Sequence, residues 1–592
     1  MRKVTLRLLD VAVYSVCILL GSMSIDVVAE NRLEGTITSA SGETLYGVVV
    51  TAHAAGKTYS TSVFTNDNGM YNFPSLEQGN YKVWAQATGF DREEASVNLG
   101  DSGRVRQDFS LPAFNDIARQ LTGSEWIANL PEDTREDHRM KLIFRNNCAG
   151  CHIPNFVLQN RFDEDGWRKI VTTMEKLTIF GVPPGPDSPV APLIQHYNDE
   201  LSAYLAKIRG PGEMPMELKP FPRPRGEAAR VVITEYNMKS GLTGEYVVQD
   251  GSDWTMGIAS KYEAKGPHDV EPDPFGYIWI ADSQVDGLRT VSRLDPGTGE
   301  IRDYKLPSKD GLAGASHGLV IDQKGNAWFN GDGGFIKVDP QTDVTSYYKP
   351  PAGVGAVGGT LDVDNQGRIW ASSREGAIRY DPSTGIYTDY KSEITAYEGR
   401  TYGVAVDALG NGWWAQMAID KVGMGNGRTG EVKIVDIDRV DRWDDLMTED
   451  DKEIFASIGS DWNSATPWAQ GPRRLGGEKN GNYIWVANYW GNNISRIDIR
   501  THEVKNFEYP NQSAFPGIYD TTIDKNGMVW MNLMNADTVA RFNPKTEEWT
   551  EFRLPTLGTE TRFISVDNYK DQVEVWVPSY RTNKIFRIQF RN

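Results

Sequence analysis

Cysteine is scarce in this chain: three residues in 592, at Cys17, Cys148 and Cys151. That excludes a disulfide-built scaffold and a zinc site of four thiolates. A site of three thiolates and a histidine would have to recruit Cys17 from the far N-terminus. Positive charge is also short, with 62 Lys and Arg against 80 Asp and Glu and a net charge of −18. A phosphate-binding protein needs a basic surface, so a nucleic-acid partner is excluded. Long apolar runs are missing as well. Val11 to Leu20 is a short apolar stretch that falls well below the ~20 residues needed to cross a bilayer, and no later segment could do so.

What does stand at the N-terminus reads as a secretory signal over 1–29. Arg2, Lys3 and Arg7 precede the apolar stretch, and Val27-Val28-Ala29 supply small residues at the cleavage point. Without that segment the only cysteines are Cys148 and Cys151. This suits export, and the expected location is the periplasm of a Gram-negative-like bacterium.

Cys148-Ala149-Gly150-Cys151-His152 carries the sharpest chemistry. Two thiols three positions apart with a histidine immediately after form the attachment signature for c-type haem. The thiols make thioethers to the two vinyl groups and His152 comes under the iron. A redox dithiol does not need that histidine, and half of a zinc site needs a second ligand pair. One covalent haem c is therefore expected, on Cys148, Cys151 and His152. Met174 is the candidate sixth ligand, so that His152 and Met174 would be the two iron ligands. Met174 also suits a plain core position on an apolar helix face, and Met214, Met216 and His196 are the other candidates.

Three further tracts follow from pattern. Residues 30–112 alternate in short strands broken by turn signals, as a small β-sandwich does. Gly35, Gly47-Val48-Val49-Val50, Thr65-Asn66-Asp67-Asn68-Gly69-Met70-Tyr71 and Leu76-Glu77-Gln78-Gly79-Asn80-Tyr81 resemble the carboxypeptidase regulatory-like domain. That resemblance implies a spacer or docking module, with carbohydrate as an alternative ligand. Residues 115–210 turn helical, with Trp167, Ile170, Val171, Met174 and Leu177 on one face. Helices around a single haem motif resemble a class I type cytochrome c domain. Pro211, Pro215, Pro220, Pro222 and Pro224 make 211–227 a semi-rigid linker.

Residues 228–592 repeat. An apolar strand, an Asp-x-x-Gly turn and a Trp-bearing strand recur, with tryptophans at Trp279, Trp328, Trp370, Trp413, Trp485, Trp530 and Trp576. The spacing is 42 to 49 residues except for one of 72, and it predicts seven four-stranded propeller blades with an insertion near 436–470. Val231 to Tyr236 is expected to complete the last blade. The fold class is thus mainly β and multidomain: a sandwich, a small helical haem domain and a seven-bladed propeller.

Pro267-His268-Asp269-Val270 with Trp279-Ile280-Ala281-Asp282, and Ser316-His317-Gly318-Leu319 with Trp328-Phe329-Asn330-Gly331, resemble the repeat of streptogramin (virginiamycin B) lyases. The resemblance implies catalytic roles for His268, His317 and Asp282 and a Mg2+ ion at the propeller. The chain departs from that family's pattern at Val285 and Gly331, where a second His and a Glu would stand. His268, Asp282, His317, Tyr402, Gln416, Asn488 and Arg562 are expected at one mouth of the channel. The expected function is haem-mediated electron transfer coupled to a small-molecule substrate or a protein partner at the propeller, as in a periplasmic dehydrogenase, with a periplasmic electron-transfer partner. A metal-dependent C–O lyase and a non-catalytic binding protein are the alternatives.

Overall fold

A computed structural model of the chain describes residues 32–100, 103–149, 152–176, 192–247, 249–258, 266–284, 287–308, 311–312, 314–392, 401–417, 419–438, 444–458 and 470–591. The stretch 1–29 expected to be a signal, Cys17, Gly150, Cys151, Leu177 and Val285 lie outside the described residues. Among the described residues no helix is long and apolar enough to cross a membrane.

The N-terminal tract forms two facing sheets. In one, Arg32–Ser39 pairs antiparallel with Met70–Asn72 and parallel with Arg104–Arg106 and Phe109–Leu111. In the other, Tyr59–Phe64, Val49–Ala54, Gly79–Gln86 and Glu93–Leu99 run side by side. Their inward residues, among them Leu33, Ile37, Val50, Val63, Val83 and Leu99, make one dry cluster.

Among the described residues six helices follow: α1 (Gly123–Asn129), α2 (Arg135–Cys148), α3 (Pro154–Leu158), α4 (Glu164–Met174), α5 (Pro192–His196) and α6 (Asn198–Arg209). Three of them announce their starts, while α6 has no side-chain cap. Thr122 and Glu125 close a capping box at α1, Thr134 caps α2 and Asp163 caps α4.

The C-terminal tract is a closed ring of seven four-stranded antiparallel units. Six are built from consecutive strands, and the seventh from Ser565–Asp567, Glu574–Ser579, Lys584–Phe590 and Val231–Asn237. Each innermost strand packs on the next, and the last packs on the first, so the ring closes and the blade edges at the channel are short and protected. The recurring Asp and Trp explain each other. Asp273, Asp322, Asp364, Asp407 and Asp524 accept turn N–H groups on one carboxylate oxygen and the Trp indole N–H on the other, at 2.9 to 3.2 Å. Glu478 does this for Trp485, while the indole N–H of Trp576 is buried without a hydrogen-bond partner.

Val231–Asn237 also pairs on its other side with Tyr59–Phe64. The seventh blade therefore runs on into the N-terminal sheet as eight strands. The insertion supplies α7 (Glu449–Ile458), whose Asp451 binds Arg139 of α2 with two 2.7 Å bonds and accepts the Tyr197 phenol at 2.7 Å. This clamps the helices onto one end of the ring.

Candidate functional site at the channel mouth

The register of the ladders defines a ring of equivalent positions. In each blade the residue three before the one paired with the Trp opens the inner strand. These residues are His268, His317, Gly359, Tyr402, Arg473, Tyr519 and Arg562. In four blades the ladder slips by one residue at this point, between Pro267 and Asp269, Thr401 and Val404, Pro472 and Leu475, and Ile518 and Asp520. A bulge there re-aims a side chain that regular pleating would send into the blade.

The ring is continuous. The His268 and His317 imidazoles lie 3.6 Å apart by ring centroid. Nδ1 of His317 is 2.5 Å from the Gly359 carbonyl and so must carry the proton, which leaves Nε2 to accept from the Tyr402 hydroxyl at 3.1 Å. Gly359 is glycine for a reason: a Cβ there would sit 2.9 Å from His317 Nδ1. Tyr402 and Tyr519 share a 2.6 Å hydrogen bond between their hydroxyls. The Arg473 guanidinium lies 4.0 Å from the Tyr519 ring centroid, and Arg562 lies 3.9 Å from that of Tyr580.

One step deeper, Arg474 bonds Asp269 at 2.9 and 3.1 Å and faces Asp520 at 3.6 Å. Asp269 in turn accepts from Nδ1 of His268 at 2.7 Å. Below them a cavity of about 350 Å³ carries Glu271, Thr360, Asp362, Lys479 and Asp520. The channel is therefore polarised, with guanidiniums at the mouth and carboxylates beneath.

Burial and charge set the protonation states. Burial drives His317 well below the usual imidazole range, so it is neutral. Burial would raise the Tyr519 phenol, but Arg473, Arg562 and Arg474 outweigh it and hold Tyr519 below its ordinary value, while Tyr402 is pushed up. Burial, aided by Asp269 and opposed by Arg474, pushes Asp520 up to about 7. Burial would also raise Glu560, yet Arg581 and Arg562 hold it down at about 2.

Of the residues expected at the mouth, His268, His317, Tyr402 and Arg562 meet on the ring. Asp282, Gln416 and Asn488 end second strands and have other partners. Asp282 pairs with Arg289 at 2.8 Å, Gln416 donates to the Ser392 hydroxyl at 3.2 Å, and Asn488 donates to Asn493 and Ser495. The carboxylate in metal-ligand reach of both histidines is Asp269: His268, Asp269 and His317 each offer an atom within 4.8 Å of the others. Arg473, Arg474, Tyr519 and Asp269 escaped the sequence reading. A signal existed, because counting eleven residues back from the Trp gives the ring residue in five blades, Tyr519 among them. Arg473 was hidden by a turn one residue longer, twelve residues before Trp485.

The helices rest on this same end. Tyr489, just past the end of Tyr483–Asn488, donates to the Ala149 carbonyl at 2.9 Å. Ser124 N–H donates to the Asn535 carbonyl at 2.7 Å, and Arg145 reaches the Trp490 carbonyl at 3.0 Å while lying 4.7 Å over Phe515. Ala149, Ile153, Tyr489, Trp490 and Phe515 share one buried cluster. Cys148 ends α2 half-buried, and His152, also half-buried, stacks on Phe156 at 5.3 Å. Met174 ends α4, half-buried. Met214 accepts from Arg209 at 2.8 Å.

Residues 32–112 match the family model of the carboxypeptidase regulatory-like domain. Among curated proteins none matches the chain. Among solved structures, a streptogramin B lyase is 17% identical with a TM-score of 0.46, covering 62% of this chain and 100% of its own. A catalytically inactive virginiamycin B lyase from Staphylococcus aureus with quinupristin is 17% identical with a TM-score of 0.45, covering 61% and 100%. The extracellular domain of a hybrid two component system from B. thetaiotaomicron is 16% identical with a TM-score of 0.38, covering 55% of this chain and 40% of its own.

Proposed function

We propose that the chain is an exported redox protein of the c-type cytochrome kind. A substrate or partner at the propeller mouth gives up electrons, and the helical segment passes them to a second exported protein. The observation that carries this reading is the bond from Tyr489 at the mouth to the carbonyl of Ala149, which follows Cys148. From there the rings of Tyr489, Tyr519, Tyr402 and His317 follow one another at centroid spacings of 6.1, 6.2 and 5.7 Å.

The donor set fits a covalent haem. Thiols and an imidazole fall within five residues, and Cys148 and His152 are both half-buried. The buried amide atoms Asn146 Nδ2 and Asn155 Oδ1, which flank the motif, have no hydrogen-bond partner among the described residues. Cys148 and Cys151 would hold the macrocycle and His152 the iron, with Met174 as the sixth ligand. When bound, the group supplies a one-electron iron centre whose potential a thioether ligand raises.

The chain's own residues handle the proton that accompanies each electron lost by an organic donor. The single hydroxyl proton of Tyr402 can turn from Nε2 of His317 to the Tyr519 oxygen, and Nε2 is then open to take a proton from the substrate. The proton then rests on the His317 imidazole, beside the hydroxyl of Tyr402. The N-terminal sandwich serves as a spacer or docking module.

A second reading has one observation behind it. His268, Asp269 and His317 are close enough to share a divalent cation such as Mg2+, which could support a C–O lyase reaction. Against it, the free lone pair of His317 already accepts from Tyr402.

The deciding experiment is a pyridine haemochrome assay on the exported protein, followed by anaerobic reduction with a panel of candidate donors. One haem per chain that resists acid acetone, and that donors reduce, supports the reading. No covalent haem overturns it. Mg2+-dependent lyase turnover that survives Cys148→Ala with Cys151→Ala would replace it with the second.

A further inference from the structure

Arg473 differs from every other cation at the mouth. Arg474 has Asp269 and Asp520, while Arg562 and Arg581 share Glu560. Arg473 has no carboxylate within ion-pair distance and donates no side-chain hydrogen bond among the described residues. It is only 5% exposed, and its Nε is buried with no partner. What surrounds it is aromatic: its guanidinium lies 4.0, 4.6 and 5.5 Å from the ring centroids of Tyr519, Tyr489 and Tyr402.

A buried charge is normally paired, and ring faces offset only part of its lost hydration. They also leave the guanidinium's fork of N–H donors without an acceptor. The missing partner is an anion. The local field agrees, because among the described residues Arg562 has Glu560 in ion-pair reach and Arg473 has no carboxylate, on a chain whose net charge is −18.

We propose that the mouth binds a small organic monocarboxylate, with its carboxylate on Arg473 and its body against the tyrosines and His317. One guanidinium without a partner balances one charge, and its planar fork matches a carboxylate in bidentate fashion. The tyrosine faces suit an organic body rather than a hydrated inorganic ion. This inference deepens the redox reading above and rests on it for the fate of the ligand.

The test uses the full-length holoprotein at constant ionic strength. Acetate, lactate and benzoate are compared with acetamide, lactamide, benzamide and inorganic phosphate, by thermal melting and by calorimetric titration. A ligand that binds only the folded state raises Tm. At least one carboxylate is expected to raise Tm and to titrate, with the amides and phosphate inert, and R473Q is expected to weaken that carboxylate by tenfold or more. The melting comparison on the unchanged protein stands even if R473Q folds poorly.

No stabilisation by any carboxylate, equal stabilisation by amide or phosphate, or undiminished affinity in R473Q overturns the proposal. Because both readouts are independent of haem reduction, the two ideas fail separately. A carboxylate that binds but never reduces the haem sinks the redox reading alone. Neutral donors that reduce the haem while no carboxylate binds sink this one alone.

Discussion

The phenol of Tyr489 and the carbonyl of Ala149, 340 residues apart in sequence, are joined by a 2.9 Å hydrogen bond inside a fully buried contact. It ties the propeller mouth to the second residue of the Cys-Ala-Gly-Cys-His segment. Tyr489→Phe keeps the ring in the cluster and removes only the bond. The expected outcome is unchanged haem content and unchanged reduction by dithionite. Reduction by the substrate or partner should slow several-fold. Stopped-flow spectra of the haem bands measure both, and equal slowing with dithionite would point to a damaged haem segment instead.

The second expectation concerns the iron. If Met174 is the sixth ligand, Met174→Ala should abolish the near-infrared sulfur-to-iron band of the oxidised protein and lower the haem potential. Survival of the band in that variant, and its loss on replacing Met214 or Met216, would move the assignment. The bond from Arg209 to Met214 is why Met174 stays the first choice.

Much of the fold was legible because blades are local. The Asp-x-x-Gly turn, the Trp that donates to its Asp and the alternating strand between them all fall within about fifteen residues, so periodicity exposed the seven units. The mouth was legible only in part. His268, His317, Tyr402 and Arg562 could be placed by repeat position. Asp269 and Arg474 could not, because their pairing joins inner strands 205 residues apart. Asp282 looked equivalent to a mouth residue until Arg289, seven residues on, was seen to hold it. The sheet shared between Tyr59–Phe64 and Val231–Asn237 has no sequence signal, since either strand would serve as an edge.

Gly359 is the test of the ring geometry. A methyl group at Gly359 would meet His317 Nδ1 at 2.9 Å and Cγ at 3.1 Å, closer than real Cβ atoms come. Gly359→Ala should therefore push the imidazole off Tyr402 and lower substrate-driven haem reduction by tenfold or more, with the absorption spectrum of the haem intact. A variant that keeps full activity would show that the bond between His317 and Tyr402 has no part in turnover.

The clamp between the insertion and the helices sets a stability expectation with a definite sign in pH. Burial would raise Asp451, but the Arg139 bonds, with Thr448 and Tyr197, outweigh it and hold its carboxyl well below the usual range. A carboxyl depressed in the folded state contributes stability above its unfolded value, near pH 4, and loses it as pH falls toward the folded value. Both partners are buried, with side-chain exposures of 6% and 1%. Removing Arg139 leaves Asp451 a buried charge without its cation, at a cost of about 3–5 kcal/mol, whereas removing Asp451 costs less because Arg139 keeps Glu200 and Glu136. Asp451→Ala should lower Tm at pH 7 and leave a smaller fall in Tm between pH 5 and pH 3 than the unchanged protein shows. Because the clamp holds α2 against the mouth, the same variant should release the bond between Tyr489 and Ala149 and slow substrate-driven reduction. Arg139→Ala should reproduce both effects, and the double variant should be no worse than either alone. A double variant whose losses simply add would show that the two residues act apart, and that the clamp is held by the Tyr197 bond to Asp451 instead.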